Sequence, residues 1–172
     1  LDQIGQADLI YVTGGNQIRL AQTLMDTPAH GALTAAWQRG AVIAGTSAGA
    51  MVWGPSYLTA GSSAAALQKG AGAGAGVELR GGLGIVPGVL VDTHFAREGR
   101  LGRLLVAAAQ PPRLAGVGVD EDTAAVITAE GVRALGAGRV TVLDLARAAV
   151  PPQARGTFAV RNVEMHLLAA GD

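Results

Sequence analysis

The sequence contains no cysteine and carries little charge. The lack of cysteine among 172 residues excludes disulfides, zinc-thiolate and iron-sulfur sites, and any thiol nucleophile. Charged residues make up 15% of the chain, and 13 basic side chains balance 13 acidic ones, so no uniform field attracts nucleic acid or an anionic membrane. No apolar run approaches the roughly 20 residues that a membrane helix needs. We therefore expect a soluble protein with no nucleic-acid or membrane partner.

The hydrophobic content is sufficient for one core. Hydrophobic residues make up 49% of the chain, which predicts a single domain over residues 1–172. The chain begins at Leu1, within a predicted helix that leads into a strand, so we expect that it is the C-terminal portion of a longer chain. For location we favour the cytoplasm and retain secretion as the alternative, because a leader would lie in the absent N-terminal sequence.

Short apolar runs alternate with stretches of helical spacing, an order typical of a parallel sheet covered by helices. The predicted buried strands are residues 7–12, 41–44, 86–92 and 115–119, and the predicted helices are residues 18–25, 34–39 and 99–109. Residues 60–76 are mostly small, which predicts a mobile surface loop. The last predicted strands, near 124–128, 140–144 and 163–168, are expected to form a meander that closes one edge.

A serine lies in the sharp turn between a predicted strand and a predicted helix. The segment 45–49 reads Gly-Thr-Ser-Ala-Gly and fits the G-x-S-x-G nucleophile elbow, in which glycines leave room for a strained serine. The amide of Ala48 begins the helix, and Gly15 ends the neighbouring strand. Both amides are therefore candidates for an oxyanion hole around Ser47. The alternative is an ordinary glycine-rich connection between a strand and a helix.

A serine nucleophile needs a base, and the chain offers three histidines. His30 is expected to be solvated near a helix start, and His166 is expected to be a partly buried structural residue of the final strand. His94 follows a strand that ends at Asp92. Ligands of open parallel sheets bind at the carboxyl ends of the strands, where Ser47 also lies. This placement favours His94 as the base.

The acid that orients the histidine is expected after the next strand. Glu121 follows the strand 115–119 and is the natural partner of His94, although Asp120 and Asp122 compete for this role. An α/β-hydrolase order of serine, acid and histidine is the rival assignment, and here it would use Ser47, Asp120 and His166. Because we find no metal constellation and no nucleotide motif, we predict no metal and no cofactor.

Five segments together resemble the cyanophycinase family of serine peptidases. They are TGGNQIRL (13–20), AGTSAGA (44–50), GLGIVPGVLVDTHF (82–95), GRLGRLL (99–105) and GVGVDEDTAAVI (116–127). The closing FAVRNVEMHLLAAGD is also similar to the final strand region of that family. The segments follow the order of the family along the chain, which makes the resemblance more specific than the serine motif alone.

The resemblance implies a flavodoxin-like three-layer α/β/α sandwich with a mostly parallel sheet. This fold is related to class I glutamine amidotransferases and to aspartyl dipeptidase (peptidase E), with serine in place of the amidotransferase cysteine. The implied activity is exopeptidase cleavage of cyanophycin, a poly-aspartate with arginine joined to each side-chain carboxylate, to β-aspartyl-arginine dipeptides. Relatives are often homodimers. The first strand and helix of the family are absent, so we expect an uncovered sheet edge or face.

The resemblance also assigns individual residues. It implies Ser47 as the nucleophile, His94 as the base and Glu121 as the orienting acid, in agreement with the reasoning from strand ends. Gln17 and Asp92 match positions that line the family's substrate pocket, where a carboxylate is a suitable partner for a substrate guanidinium.

Two basic positions of the family are also matched. Arg100 and Arg103 are three residues apart, so they are expected to share a helix face and to contact the aspartyl carboxylates of the polymer. The alternative for both is a solvated face with local ion pairs.

Two positions depart from the family pattern. Thr93 stands in the substrate pocket where the family commonly has glutamine, and Glu98 stands where it usually has arginine, beside Arg97. These departures keep two other functions open, an aspartyl dipeptidase and a catalytically silent relative that binds peptide or polymer. Product size distinguishes the two enzymes, because a dipeptidase leaves long polymer intact.

Overall fold

The computed structural model describes residues 1–151 and 157–172, which form a mixed α/β fold. The helices are α1 Asp2–Gln6, α2 Gln17–Leu24, α3 Pro28–Gln38, α4 Ala48–Met51, α5 Ser63–Lys69 and α6 Leu101–Ala108. The strands are β1 Leu9–Val12, β2 Val42–Gly45, β3 Ser56–Gly61, β4 Val77–Gly81, β5 Val89–Thr93, β6 Ala115–Val119, β7 Thr123–Thr128, β8 Gly131–Gly136, β9 Val140–Asp144 and β10 Glu164–Leu168. In these described ranges, no helix is both long and apolar enough to cross a membrane.

The strands form several small sheets. β1 pairs with β2 and β5 pairs with β6, both in parallel, while β9 and β10 extend the second pair in the antiparallel order β10-β9-β6-β5. β3–β4 and β7–β8 are separate antiparallel hairpins. The expectation of one mostly parallel sheet therefore holds only for β1–β2 and β5–β6. Of the expected terminal meander, the antiparallel pair β9–β10 at one sheet edge is confirmed. The place of β7 in it is wrong, because β7 pairs with β8, a strand that the apolar pattern does not predict.

Residues 60–76 are not the loop that their composition predicts. The side chain of Ser62 caps α5 by accepting a hydrogen bond from the Ala65 amide at 3.2 Å, and Ala66 is fully buried in the core. A Cβ atom at Gly76 would lie 2.0 Å from the Ala65 carbonyl oxygen. The small residues thus permit close backbone packing, a role that composition alone does not distinguish from flexibility.

The core packs on both faces of β5 and β6 and so fixes the strands that lead to the candidate site. On one face, Leu90 of β5 belongs to a core cluster with Leu104 of α6. On the other face, Val91 and Val117 pack with the β7–β8 hairpin. A separate cluster around α2 and α3 supports β1 and β2. The strands that lead to the candidate site, β2, β5 and β6, are therefore each held in place by packed side chains.

One face of the β1–β2 sheet has no cover among the described residues. Leu9 and Val42 are cross-strand partners and are 63% and 58% exposed, and Tyr11 on the same face is 59% exposed. The opposite face, with Ile10 and Ile43, packs against the α2–α3 cluster. An exposed apolar face agrees with the expectation that part of the sheet is uncovered.

Candidate active site

Ser47 lies in the sharp turn between β2 and α4. Its backbone has φ +51° and ψ −121°, a strained conformation for a residue other than glycine. The turn depends on close backbone approach. A Cβ atom at Gly45 would lie 2.3 Å from the Gly49 carbonyl oxygen, and one at Gly49 would lie 2.2 Å from the Val12 carbonyl oxygen. Both glycines of the motif are therefore required by packing, and the structure has the geometry of a nucleophile elbow.

The loop after β1 runs beside the serine. A Cβ atom at Gly14 would lie 3.2 Å from the Cβ of Ser47, and the next residue, Gly15, has φ +140°. Ala48 is the first residue of α4, so its amide precedes the helix's own hydrogen-bonding pattern. Both expected oxyanion donors thus belong to segments adjacent to Ser47.

Ser47, His94 and Glu121 form a hydrogen-bonded row. Ser47 Oγ is 3.1 Å from His94 Nε2, and His94 Nδ1 is 3.0 Å from Glu121 Oε1. Because a carboxylate only accepts hydrogen bonds, Nδ1 is the protonated nitrogen and Nε2 is left to accept the serine proton. This is the order of contacts by which a serine hydroxyl is activated for nucleophilic attack.

The other two histidines do not approach this row. His30 Nε2 bonds the Leu83 carbonyl oxygen at 2.7 Å, so it is tied into the fold and not solvated as expected. His166 is exposed on β10 and lies 3.3 Å from Glu164, which corrects the expectation of a partly buried residue. Two strands separate β10 from β5. The rival order through His166 is therefore not the arrangement of this site.

Glu121, and not its acidic neighbours, contacts the histidine. The hydrogen bond from His94 is the largest of the effects that hold the pKa of Glu121 below its usual value. The guanidinium of Arg97, 3.8 Å away, lowers this pKa further. Glu121 therefore stays ionised at neutral pH and is able to stabilise a protonated imidazole. The carboxylate of Asp120 instead accepts hydrogen bonds from backbone amides.

Asp92, for which the resemblance implies a substrate contact, is bonded to arginine side chains inside the protein. Its side chain is fully buried, and Arg103, which is 8% exposed, donates to both carboxylate oxygens. Arg100 adds a third contact at 3.3 Å. Asp92 and Arg103 thus pair with each other inside the protein, and a substrate role for either requires that substrate shares or replaces these bonds. Adjacent strand residues point to opposite faces, so Asp92 points away from the face that Thr93 shares with the site.

The remaining expected substrate residues have different surroundings. Gln17 Nε2 donates to the Leu58 carbonyl oxygen at 3.0 Å and so ties α2 to β3. Thr93 is 7% exposed, and its hydroxyl has no hydrogen-bond partner among the residues described.

Arg100 contacts three groups beside the ion pair of Asp92 and Arg103. In addition to Asp92, it binds the Thr93 carbonyl oxygen at 2.7 Å and Glu98 at 2.6 Å. The hydrogen bond with Arg100 is the main cause that lowers the pKa of Glu98. Glu98, which stands at a usual arginine position of the resembled family, therefore carries a stable negative charge beside Arg100.

A groove of about 600 Å³ opens beside Ser47 and His94. Trp37 and Trp53 line its apolar wall, and Thr93 is among its polar residues. The groove is not predictable from the sequence, because its walls come from distant segments of the chain that are each apolar for reasons of strand burial. A concave apolar surface with few polar groups is typical of ligand sites.

A serine on a strained strand-to-helix turn, bonded through histidine to an ionised carboxylate beside a groove, defines a site of the serine hydrolase class on an α/β scaffold. Comparison with known proteins specifies the class further. Residues 1–135 match the model of Peptidase family S51. The chain therefore belongs to this family.

The relatives bear a common name. The cyanophycinase of Synechococcus elongatus is 36% identical over 178 aligned residues, which cover 100% of this chain and 54% of that protein. The cyanophycinase of Trichormus variabilis is 37% identical, with 95% and 55% covered. A crystal structure of a peptidase from an acI-B1 actinobacterium has a similar fold, with a TM-score of 0.66, 24% identity, and 99% and 60% covered. The chain spans about half the length of the curated relatives it matches.

Proposed function

We propose that the protein is an exopeptidase that hydrolyses cyanophycin to β-aspartyl-arginine dipeptides through an acyl-enzyme on Ser47. The observation that carries the proposal is the row in which Ser47 Oγ lies 3.1 Å from His94 and His94 lies 3.0 Å from Glu121. The cyanophycinase relatives support this choice of substrate.

The mechanism divides the hydrolysis into two transfers. Ser47 Oγ attacks the scissile carbonyl carbon while His94 Nε2 takes the hydroxyl proton, and Glu121 stabilises the imidazolium through Nδ1. Collapse of the tetrahedral intermediate breaks the C–N bond, and His94 returns the proton to the leaving amine. Water then attacks the carbonyl carbon of the acyl-enzyme while His94 takes one of its protons. His94 passes that proton to Ser47 Oγ as the ester C–O bond breaks and the product acid leaves.

The amides of Gly15 and Ala48 are proposed to bind the oxyanion of both intermediates. A Cβ atom at Gly14 would lie 3.2 Å from the Cβ of Ser47, so the loop that carries the Gly15 amide runs beside the serine. The Ala48 amide directly follows the serine at a helix start. Each such donor contributes on the order of 3 kcal/mol to transition-state stabilisation in acyl transfer.

Substrate recognition is proposed for Thr93, Gln17 and Arg100. Thr93 is supported most directly, because its buried hydroxyl lines the groove and has no partner in the described part of the chain. Gln17 and Arg100 already bond the protein, so their roles require that substrate shares or replaces those bonds. Arg97, with 76% of its side chain exposed beside Glu121, is a further cation available to a substrate carboxylate.

For the fold we propose the flavodoxin-like three-layer sandwich, a single domain, and a homodimer. The parallel pairs β1–β2 and β5–β6 support the layered sheet, and the apolar face with Leu9 and Val42 supports pairing of two copies. Sedimentation of the purified chain measures the dimer directly, and a monomer at all concentrations would argue against it.

The deciding experiment is incubation with purified cyanophycin, with products read by mass spectrometry beside Ser47→Ala. Release of β-aspartyl-arginine by the parent alone is the expected result. Intact polymer together with cleavage of short aspartyl peptides would instead indicate the dipeptidase. Absence of both, with a fluorophosphonate probe that labels the parent no more than Ser47→Ala, would indicate the silent binding relative.

The assignment of the base is tested with the same probe. His94→Ala is expected to lose labelling at Ser47, because no other group takes the hydroxyl proton. His166→Ala is the matched control, since His166 contacts only Glu164 among the ion pairs of the described residues. The opposite pattern would refute the proposed row.

A further inference from the structure

The carboxylate of Asp120 joins two loops beside the candidate site. One oxygen accepts a hydrogen bond from the Ala96 amide at 2.9 Å, and the other accepts one from the Arg139 amide at 3.1 Å. The Asp120 amide in turn donates to the Arg139 carbonyl oxygen at 3.2 Å. Ala96 is two residues beyond His94, and Asp120 directly precedes Glu121. The bridge therefore connects the loop of the histidine with the segment of the carboxylate.

The turn between β8 and β9 packs tightly against this bridge. A Cβ atom at Gly138 would lie 2.8 Å from the Cβ of Asp120 and 2.6 Å from Thr123 Oγ1. The Gly138 amide donates to Thr123 Oγ1, and the Thr123 hydroxyl donates to the Glu121 carbonyl oxygen, both at 2.8 Å. Glu121 is thus held from both sides of its own segment.

Two residues beside this bridge have strained backbone conformations that need support from the surrounding structure. His94 has φ +54° and Asp122 has φ +52°, both in the left-handed region that disfavours side chains other than glycine. Such conformations cost about 1–3 kcal/mol each and are kept only where the surroundings determine them. Hydrogen bonds from backbone amides to a carboxylate are charge-assisted and stronger than those between neutral groups, so they are suited to hold a strained backbone in place.

We propose that Asp120 is a positioning residue, which fixes the loop after His94 relative to Glu121 and thereby keeps His94 Nδ1 at bonding distance from the Glu121 carboxylate. This inference rests on the proposed hydrolysis. Asp120 touches neither the serine nor the imidazole in its hydrogen bonds; it acts through the two loops. Loss of the bridge should slow the chemical step and leave the binding of a small serine-reactive probe unchanged.

The test compares two aspartate-to-asparagine variants. Asp120→Asn keeps the size of the side chain but removes one acceptor, so one of the two amides faces an NH₂ group. Its maximal rate of labelling by a fluorophosphonate is expected to fall by about tenfold to a hundredfold, with an unchanged half-saturating concentration. Asp144→Asn is the matched control, because Asp144 also accepts a backbone amide, from Ala146 at 2.7 Å, at the opposite end of β9.

A proton resonance separates positioning from general destabilisation. The low-field signal of the His94 Nδ1–H bond to Glu121 is expected to weaken in Asp120→Asn and to persist in Asp144→Asn. Gly138→Ala adds a methyl group against Asp120 without removing a carboxylate. We expect it to weaken the low-field signal less than Asp120→Asn does. Labelling at the parental rate, with the low-field signal intact in Asp120→Asn, would overturn the proposal.

Amide exchange in the unaltered protein tests the bridge without any variant. The Ala96 and Arg139 amides should exchange slowly although their residues lie in loops. Fast exchange at Ala96, equal to that of exposed loop amides, would also overturn the proposal. If the parent protein fails to label at Ser47 while these amides are protected and the low-field signal is present, the proposed hydrolysis fails and the bridge stands.

Discussion

The serine side and the histidine side of the candidate site are held by different kinds of contact. Ser47 is fixed by backbone packed against backbone, where Gly45 and Gly49 leave no room for a Cβ atom. His94 is fixed by charged side chains, with Asp92 bonded to arginine before it and Asp120 bonded to the Ala96 amide after it. The serine side is therefore sensitive chiefly to added volume, and the histidine side is in addition sensitive to the loss of charge.

The difference follows from what each residue must do. A nucleophile on a turn needs an exposed hydroxyl and open space for a substrate, so small residues crowd around it. A base needs a fixed ring orientation, which requires strong directional partners on the loops that carry it. The contrast predicts that the two sides respond to different classes of substitution.

The largest effect is expected from breaking the ion pair of Asp92 and Arg103 on the histidine side. Arg103→Met removes the main partner of Asp92, a fully buried carboxylate, and leaves it the 3.3 Å contact from Arg100 and the 3.0 Å hydrogen bond from the Thr93 amide. We expect the free energy of unfolding to fall by about 4 kcal/mol, measured by urea denaturation, because an unpaired buried charge is costly. The double variant Asp92→Leu/Arg103→Met should recover much of this loss. Equal losses in the single and double variants would show that packing, not charge, holds this side.

A smaller but still large effect is expected from adding one methyl group on the serine side. Gly49→Ala places a Cβ atom 2.2 Å from the Val12 carbonyl oxygen, which backbone movement alone relieves. We expect a loss of about 3 kcal/mol in the free energy of unfolding and reduced labelling of Ser47. Gly31→Ala is the control, since it lies in α3 with nothing within 4 Å and should gain about 0.5–1 kcal/mol. Unchanged stability in Gly49→Ala would contradict the packing account.

The same contrast explains which parts of the molecule the sequence predicts. The serine turn is predictable because its glycines and its flanking strand lie within one short segment. Strand ends alone also predict that Ser47 and His94 lie close to an acid at Glu121 or its neighbours Asp120 and Asp122, since parallel neighbours β5 and β6 end at one edge.

The wrong predictions come from contacts between distant positions. The ion pair of Asp92 was likewise not predictable, because its partner Arg103 lies 11 residues away on another element. Residues 60–76 were assigned to a loop because composition does not show that Gly76 packs against Ala65. The β7–β8 hairpin is not predictable from the apolar pattern because β8, GVRALG, has glycine at both ends and an arginine between its apolar residues.

The smallest expected effect concerns the pKa of Glu121, the carboxylate that bonds His94. Its pKa is lowered chiefly by the hydrogen bond from His94, with Arg97 as a weaker cause. The pKa of Glu121 in the folded state lies below its ordinary value. Ionised Glu121 therefore stabilises the fold at pH values above that ordinary pKa. This contribution is lost as the pH falls through the lowered pKa.

Carboxyl-carbon NMR titration of Glu121 measures this pKa directly and ranks its causes. His94→Ala should raise it toward the ordinary range, because the variant removes the bond that holds the ionised form. Arg97→Ala should raise it less, since the Arg97 guanidinium lies 3.8 Å away and its side chain is 76% exposed, where solvent screens the attraction. A larger rise in Arg97→Ala than in His94→Ala would mean that long-range charge, and not the directional bond to the imidazole, sets the state of the carboxylate on this side.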